Sequence, residues 1–511
     1  MRKNLLRGLT PHQYNTFPDP SNLQETRSGK VNNWWLYLAV FTPLLGSLSS
    51  GYAMVYSSPV VPELQQSSNP KLRLNDKSAS WFVSVFSLGM VFGGTSTMLL
   101  NDLLGRKLTI MISCLPSAFG FALMGGAQAL WMLDMGRALT GIAGGMSAAS
   151  IPVYISEISV AKRRGRLGAG PQFMLVCGSL LLYALALILS WRWLAVVGAI
   201  IPTIMIIILC FMPKSPRYLI SKHHKDEAME SLAWLRGAGA EYQLEYQKIE
   251  DSLNRNDTRM SCSDLRLPFI YKPALIAIFM RVFQQLSGIT VILVNMQLIF
   301  NSAHVILPGK YDAALVGMVR LVSVSVAAWL MDKAGRRKLL FVSGAIMFIS
   351  TLALGVYIKE DELKRNLTAT ANASIVGADH PTAEHLLQHN MAHWLTFIPL
   401  IGIMVYIFGY ALGWGPVTWL LMSEILPIKV RGTVSGACVA VSWITAFILT
   451  QWFLPVKDSF GLAVPFLFFM VISALCIIFT AICIPETKGK TLEQIEEEFR
   501  NPRAHINGDN S

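Results

Sequence analysis

Charged residues recur at matched positions in the two halves of this chain, and their chemistry is that of ion pairs that form and break. Asp102-Leu103-Leu104-Gly105-Arg106-Lys107 returns as Asp332-Lys333-Ala334-Gly335-Arg336-Arg337. Ser156-Glu157-Ile158, with Arg164-Gly165 beyond it, returns as Ser423-Glu424-Ile425 with Arg431-Gly432. Pro213-Lys214-Ser215-Pro216-Arg217 has a weaker echo in Pro485-Glu486-Thr487-Lys488-Gly489. The offsets are 230, 267 and 272 residues, and the first jump matches one polar insertion near 358–393. In each corner the Gly permits a tight turn, and the Arg can pair with the Asp or with a negative helix C-terminus. Asp102, Arg106, Glu157, Arg164 and Arg217, with Asp332, Arg336, Glu424 and Arg431, are therefore candidates for a gating network. Such a network latches two halves together and parts when they separate. The plainer alternative is a set of topological anchors.

The elements that position these charges are apolar spans. The chain is 53% hydrophobic and 14% charged, with mean hydropathy +0.46. That is too apolar for a water-soluble protein of 511 residues. Stretches long enough to cross a bilayer, about 20 residues, lie near 35–56, 79–100, 108–130, 131–155, 167–189 and 193–212. A second set lies near 273–300, 313–331, 338–357, 394–422, 434–454 and 464–484. The expected fold is all-α, with twelve transmembrane helices in two pseudo-symmetric six-helix halves. A duplicated membrane bundle is the architecture of many secondary transporters.

Net charge is +12, which by itself suggests a nucleic-acid partner, but topology accounts for it better. With both termini in the cytoplasm, that face carries 31 Lys and Arg against 9 on the other, which fixes the orientation. No nucleic acid is implied; the lipid bilayer is the partner. The expected organisation is a cytoplasmic tail over 1–34, a first half over 35–212 and a helical cytoplasmic linker over 213–272. A second half over 273–484 carries the extracytoplasmic insert 358–393, and a cytoplasmic tail over 485–511 follows. In the linker, Lys225 to Leu235 and Glu241 to Leu253 read as amphipathic helices. Thr491 with Gln494 forms a capping box for a short helix, Glu493 to Phe499. Residues 1–34 hold no apolar core of a cleaved signal, so the first span acts as the signal. Of the seven cysteines, six fall in spans and Cys262 in a cytoplasmic loop, so no disulfide framework is implied.

The insert reads as a polar loop with two glycosylation sequons, at Asn366 and Asn372, on the side where modification occurs. The sequon at Asn256 lies on the cytoplasmic side and is expected to stay bare. His385, His389 and His393 repeat every four residues beyond His380. They are either part of a solvated loop or an element responsive to pH or metal in an acidic lumen.

The paired corners, the Glu…Arg-Gly pairs, Arg281-Val282-Phe283-Gln284-Gln285-Leu286-Ser287-Gly288 and the Pro-Glu-Thr-Lys-Gly ending resemble the sugar-porter branch of the major facilitator superfamily. The resemblance runs from about residue 35 to 500, and the large loop between the ninth and tenth spans is similar to that of class III facilitative hexose transporters. It implies a hexose substrate, no cofactor and no enzyme activity. A sugar is held by amides and hydroxyls and by aromatic rings against its C–H faces. By resemblance Gln172, Gln284, Gln285, Trp419 and Trp443 are sugar contacts. An isolated Gln in a span reads as a helix–helix hydrogen bond, but three at matching positions suggest a wet cavity. Thr290, Arg320 and Ser442 stand where glucose transporters commonly have Asn, and belong to the same candidate site.

Other positions depart from the family. Ala411 replaces a Glu, Val294 and Asn295 replace a Tyr pair, and Lys214 reverses a charge. On a continuous helix Asn295 faces the same way as Gln284, about three turns away. Arg320 is mid-span, either bonded to backbone carbonyls or lining the cavity, where it favours an anionic ligand. The position of the first-span Asp of proton-linked porters is Ala53, and Asp134, the clearest acid in a span, is expected to pair with Arg137. These readings favour a facilitative hexose uniporter working by alternating access. A proton-coupled symporter, a carrier of an anionic sugar derivative and a non-transporting sugar sensor are the alternatives. Leu5-Leu6 resembles the dileucine signal read by adaptor proteins, which favours an endolysosomal membrane over the plasma membrane.

Overall fold

In the computed structural model of this protein the described residues are 34–160, 167–236, 242–255, 267–303, 309–374, 397–427, 430–488 and 492–500. They form helices and no strands. The first half comprises α1 (Trp34–Val55), α2 (Ser57–Gln65), α3 (Asp76–Leu103), α4 (Arg106–Gly125), α5 (Leu130–Ile158), α6 (Gly170–Leu185) and α7 (Trp191–Cys210). Short helices α8 (Pro216–Ser221), α9 (Lys225–Arg236) and α10 (Tyr242–Arg255) follow in the linker. The second half comprises α11 (Pro268–Leu286), α12 (Ile289–Val294), α13 (Met296–Ser302), α14 (Gly309–Lys333), α15 (Arg336–Ser374), α16 (Ile398–Leu412), α17 (Pro416–Ile425), α18 (Arg431–Phe460) and α19 (Ala463–Cys483). A terminal helix, α20 (Leu492–Arg500), closes the described chain. Among the described residues, 11 helical stretches are long and apolar enough to cross a membrane, and α6 is a shorter apolar helix in the place of the fifth span.

The repeat in sequence is also a repeat in packing. Helices α3, α4 and α7 pack as α3 on α5, α4 on α5 and α4 on α7; the second half repeats this as α14 on α16, α15 on α16 and α15 on α19. The halves meet where α3 lies along α18 and α6 along α14. Small residues allow close approach within each half. A Cβ on Gly51 of α1 would overlap the Leu175 carbonyl of α6, and one on Gly178 of α6 would overlap the Leu48 carbonyl of α1.

Local sequence sets the helix ends. Asn75 caps α3, accepting from Ser78 N at 2.8 Å while Ser78 Oγ accepts from Asn75 N at 2.9 Å. Gly105 turns the first corner at φ 83°, where a side chain would meet the Tyr218 ring.

Three expectations need correction. The seventh and tenth spans are broken rather than continuous. The insert does not begin as a loop: α15 runs on through Asn366 and Asn372 to Ser374. The Lys359-to-Arg365 run is rich in good helix formers, and Glu360 and Lys364 pair at 3.8 Å one turn apart. Glu362 also accepts from Leu462 N at 2.7 Å, tying this extension to the start of α19. The side chains of Asn366 and Asn372, and the four insert histidines, lie outside the described residues.

Candidate functional site

Both breaks fall at the centre of the second half. Helix α11 ends at Leu286, and Gly288 takes φ 94°, where a Cβ would also strike the Phe469 ring. Asn295 interrupts the span again and donates to Val291 O at 3.1 Å, so it does not share a continuous face with Gln284. In the tenth span, Gly413-Trp414-Gly415 separates α16 from α17, which starts on Pro416. A broken helix frees carbonyls that must be satisfied where water is scarce.

Gln284 supplies that satisfaction. Its Nε2 lies 2.7 Å from Trp414 O, 3.2 Å from Gly415 O and 2.9 Å from the Tyr410 hydroxyl. Its Oε1 accepts from Arg281 Nη1. The Arg281 guanidinium lies 3.9 Å from the centroid of the Trp419 ring. The neighbouring amide builds a second cluster: Gln285 Nε2 donates to Ser442 Oγ at 3.1 Å, and Thr290 Oγ1 donates to Gln285 Oε1 at 2.6 Å. Gln284, Gln285, Thr290 and Ser442 are all buried. Trp419 is 39% exposed, the open wall of the arrangement, and Trp443 is half-buried against the same core.

Arg320 lies on α14, which packs against α16 and α6. It is buried and donates from Nη1 to Ser179 Oγ of α6 at 3.2 Å, a side-chain bond between the halves rather than a bond to backbone carbonyls. Gln172 is half-buried on α6 and makes no hydrogen bond with the described residues. Sequence reasoning missed Arg281, Tyr410 and Trp414 as site residues. The Gly-Trp-Gly-Pro run was the available signal, because it cannot continue a helix.

The acids differ from expectation. Arg137 does not pair with Asp134. It donates to Ala53 O at 2.5 Å and packs over the Phe82 and Phe86 rings, which turns it away along the helix. Asp312 of α14 is fully buried, and neither of its oxygens has a partner among the described residues.

The corner Arg106 pairs with Asp102 and with the C-terminal end of α3, where it donates to Asn101 O at 3.1 Å, and it has a further partner. Arg106 lies 4.0 Å from the exposed Asp102 but donates to Glu157 at 3.1 Å, and Ser215 Oγ donates to the other Glu157 oxygen at 2.5 Å. The second half repeats this with Arg336 to Glu424 at 3.1 Å and Thr487 Oγ1 to Glu424 at 2.5 Å. Each Glu sits at a helix C-terminus beside the corner Arg of its own half, 51 and 88 residues earlier in the chain. These bonds tie each half's corner to its own helices and to the linker or tail that follows it. Arg217 is exposed and outside the network. Arg164 and the side chains of Asp332 and Arg431 lie outside the described residues.

The reversed charge at Lys214 has a visible consequence. Its counterpart Glu486 accepts from Arg336 N at 3.0 Å and Arg337 N at 3.2 Å, capping α15. Lys214 turns instead to Glu227 at 2.8 Å, and its ammonium holds that carboxyl below the usual range.

At the end of the bundle opposite the corners, hydrogen bonds close the halves against each other. Ser57 Oγ donates to Val294 O at 3.0 Å, Tyr183 OH to Leu293 O at 2.8 Å, and Ser84 Oγ to Gln451 Oε1 at 2.5 Å.

The family described as sugar (and other) transporter matches residues 39–499. Solute carrier family 2, facilitated glucose transporter member 6 of Homo sapiens is 52% identical over 508 residues, covering 98% of this chain and 99% of that protein. Member 8 of Bos taurus is 39% identical over 467 residues, covering 91% and 94%. The inward-open xylose transporter XylE from E. coli superposes with TM-score 0.71 at 21% identity, over 91% of this chain and 99% of that one. That structure supports the fold.

Proposed function

The chain belongs to the sugar transporter family, and from that premise we propose that it is a facilitative hexose uniporter working by alternating access. The observation that carries the reading is the meeting of two broken spans at Gln284. Discontinuous helices with amides and aromatics at mid-bundle are the usual construction of a transporter site. Its relatives are transporters rather than enzymes, and two are named as facilitated glucose transporters.

In this reading Gln284, Gln285, Thr290, Ser442 and Gln172 contact hydroxyls, Trp419 and Trp443 supply aromatic walls, and Arg320 borders the site. Residues 35–212 and 273–484 rock as two bodies, joined by the linker 213–272. The two Glu–Arg–hydroxyl networks keep each body rigid at the basic face. The outer hydrogen bonds between halves must break for the site to open the other way.

Uniport requires that proton binding is not coupled to sugar. The buried Asp312, unpaired among the described residues, favours symport as the second reading, because such a carboxyl is costly when charged. Sugar-equilibrated proteoliposomes given an inward proton gradient are expected to show no concentrative uptake. Accumulation that collapses with a protonophore contradicts uniport and directs attention to Asp312.

The protein is a multi-pass membrane protein. Its residence in the endolysosomal membrane is supported by Leu5-Leu6, which lies outside the described residues and is a docking point for adaptor proteins. Surface biotinylation of the Leu5→Ala/Leu6→Ala variant is expected to rise several-fold. An unaltered protein already mostly at the surface contradicts this location.

A further inference from the structure

Three arginines are buried in the bundle, and they are not alike. Arg137 is spent structurally on the Ala53 and Phe82 carbonyls and two aromatic faces, with only Nη2 left without an acceptor among the described residues. Arg281 and Arg320 are 2% and 7% exposed, and neither has an ion-pair partner among the described residues. A guanidinium carries five N–H donors. Arg281 uses one on Gln284, stacks on Trp419, and leaves a buried Nε with no acceptor. Arg320 has a single hydroxyl partner, Ser179. The two are brought towards one region: α14, which carries Arg320, packs against α16, whose Tyr410 hydroxyl is 2.9 Å from Gln284 Nε2.

Asp312 does not neutralise the pair by contact. It lies eight residues before Arg320 on α14, roughly 12 Å along the helix, and its oxygens have no partner among the described residues. The second half therefore carries two buried guanidinium groups near a sugar-type amide cluster, with donors to spare and no fixed anion among the described residues. Buried cations in a membrane bundle are retained at considerable cost unless a partner arrives. A neutral hexose brings only dipoles. A carboxylate or phosphate brings charge, and forms paired hydrogen bonds with a guanidinium fork.

We propose that this site takes an anionic hexose derivative, a sugar acid or a sugar phosphate, with Arg281 and Arg320 holding the anionic group. Gln284 and Gln285 hold the ring hydroxyls. This deepens the sugar-site reading above and rests on it. The Arg281–Trp419 stack orients the guanidinium plane before the ligand enters, so the anion meets a prepared fork.

The test is calorimetric titration of the purified full chain at fixed ionic strength with glucose, glucuronate, glucose 6-phosphate and inorganic phosphate. At least one anionic sugar is expected to bind about tenfold or more tightly than glucose, as roughly one added charge-assisted hydrogen bond supplies. The two anionic sugars tell carboxylate from phosphate preference. In Arg281→Gln and Arg320→Gln the ratio of anionic-sugar affinity to glucose affinity is expected to fall at least tenfold. Glucose binding as tight as both anionic sugars in the unaltered protein overturns the proposal while sparing the hexose site, and needs no variant. Inorganic phosphate binding as tightly as glucose 6-phosphate also overturns it, because the sugar then contributes nothing. If no sugar binds at all, the sugar-site reading fails with it.

Discussion

Gln284→Ala is expected to weaken sugar binding by about 1–3 kcal/mol, the range for hydrogen bonds lost in a desolvated site. That is roughly fivefold to 150-fold in Kd. The amide is more than a ligand contact. It satisfies Arg281, Tyr410 and the carbonyls freed by the Gly413–Gly415 break. Its removal therefore lowers thermal stability as well as affinity. Gln285→Ala makes the contrast. Thr290 and Ser442 lose their partner, but hydroxyls on helices re-bond to a preceding carbonyl, so affinity falls with a smaller loss of stability. Calorimetry and thermal unfolding on both purified variants separate the two effects. Unchanged sugar affinity in both contradicts the site.

Arg336→Ala is expected to destabilise the second half by roughly 1–3 kcal/mol, less than for a fully buried ion pair because Glu424 is partly exposed. It leaves Glu424, 17% exposed at its side chain, with only Thr487. Arg106→Ala does the same to Glu157 in the first half. Loosening either body at the basic face also shifts the population toward the state open on that face, read as faster cysteine labelling there. Double-mutant cycles with Glu424→Gln and Glu157→Gln isolate the pairwise contribution. Labelling unchanged or slowed in both Arg variants contradicts the gating role, and additive cycles contradict the pairing.

The sequence makes the spans, their duplication and the amide cluster readable, because apolar length and repeated short motifs are local signals. The pairing of the charges was less accessible. Glu157 and Glu424 take corner arginines 51 and 88 residues away as partners, which spacing along the chain does not reveal. The broken spans were present in Gly288 and in Gly413-Trp414-Gly415-Pro416, but hydropathy averages over such interruptions. Arg281 was hidden by its position one turn before two glutamines, where its stack on Trp419 depends on a helix more than a hundred residues away. Asp312 sat at a span edge, and only packing reveals that it is fully enclosed. The extension of α15 to Ser374 was masked by its polarity, although its composition favours helix.

The most direct measurement is counterflow with the purified chain in proteoliposomes. Vesicles loaded with unlabelled glucose, diluted into trace labelled glucose without any ion gradient, should take up label transiently and saturably. The Gln284→Ala variant should lose most of that signal. Label uptake no greater than in protein-free vesicles, for glucose and other hexoses alike, would contradict hexose transport by this chain.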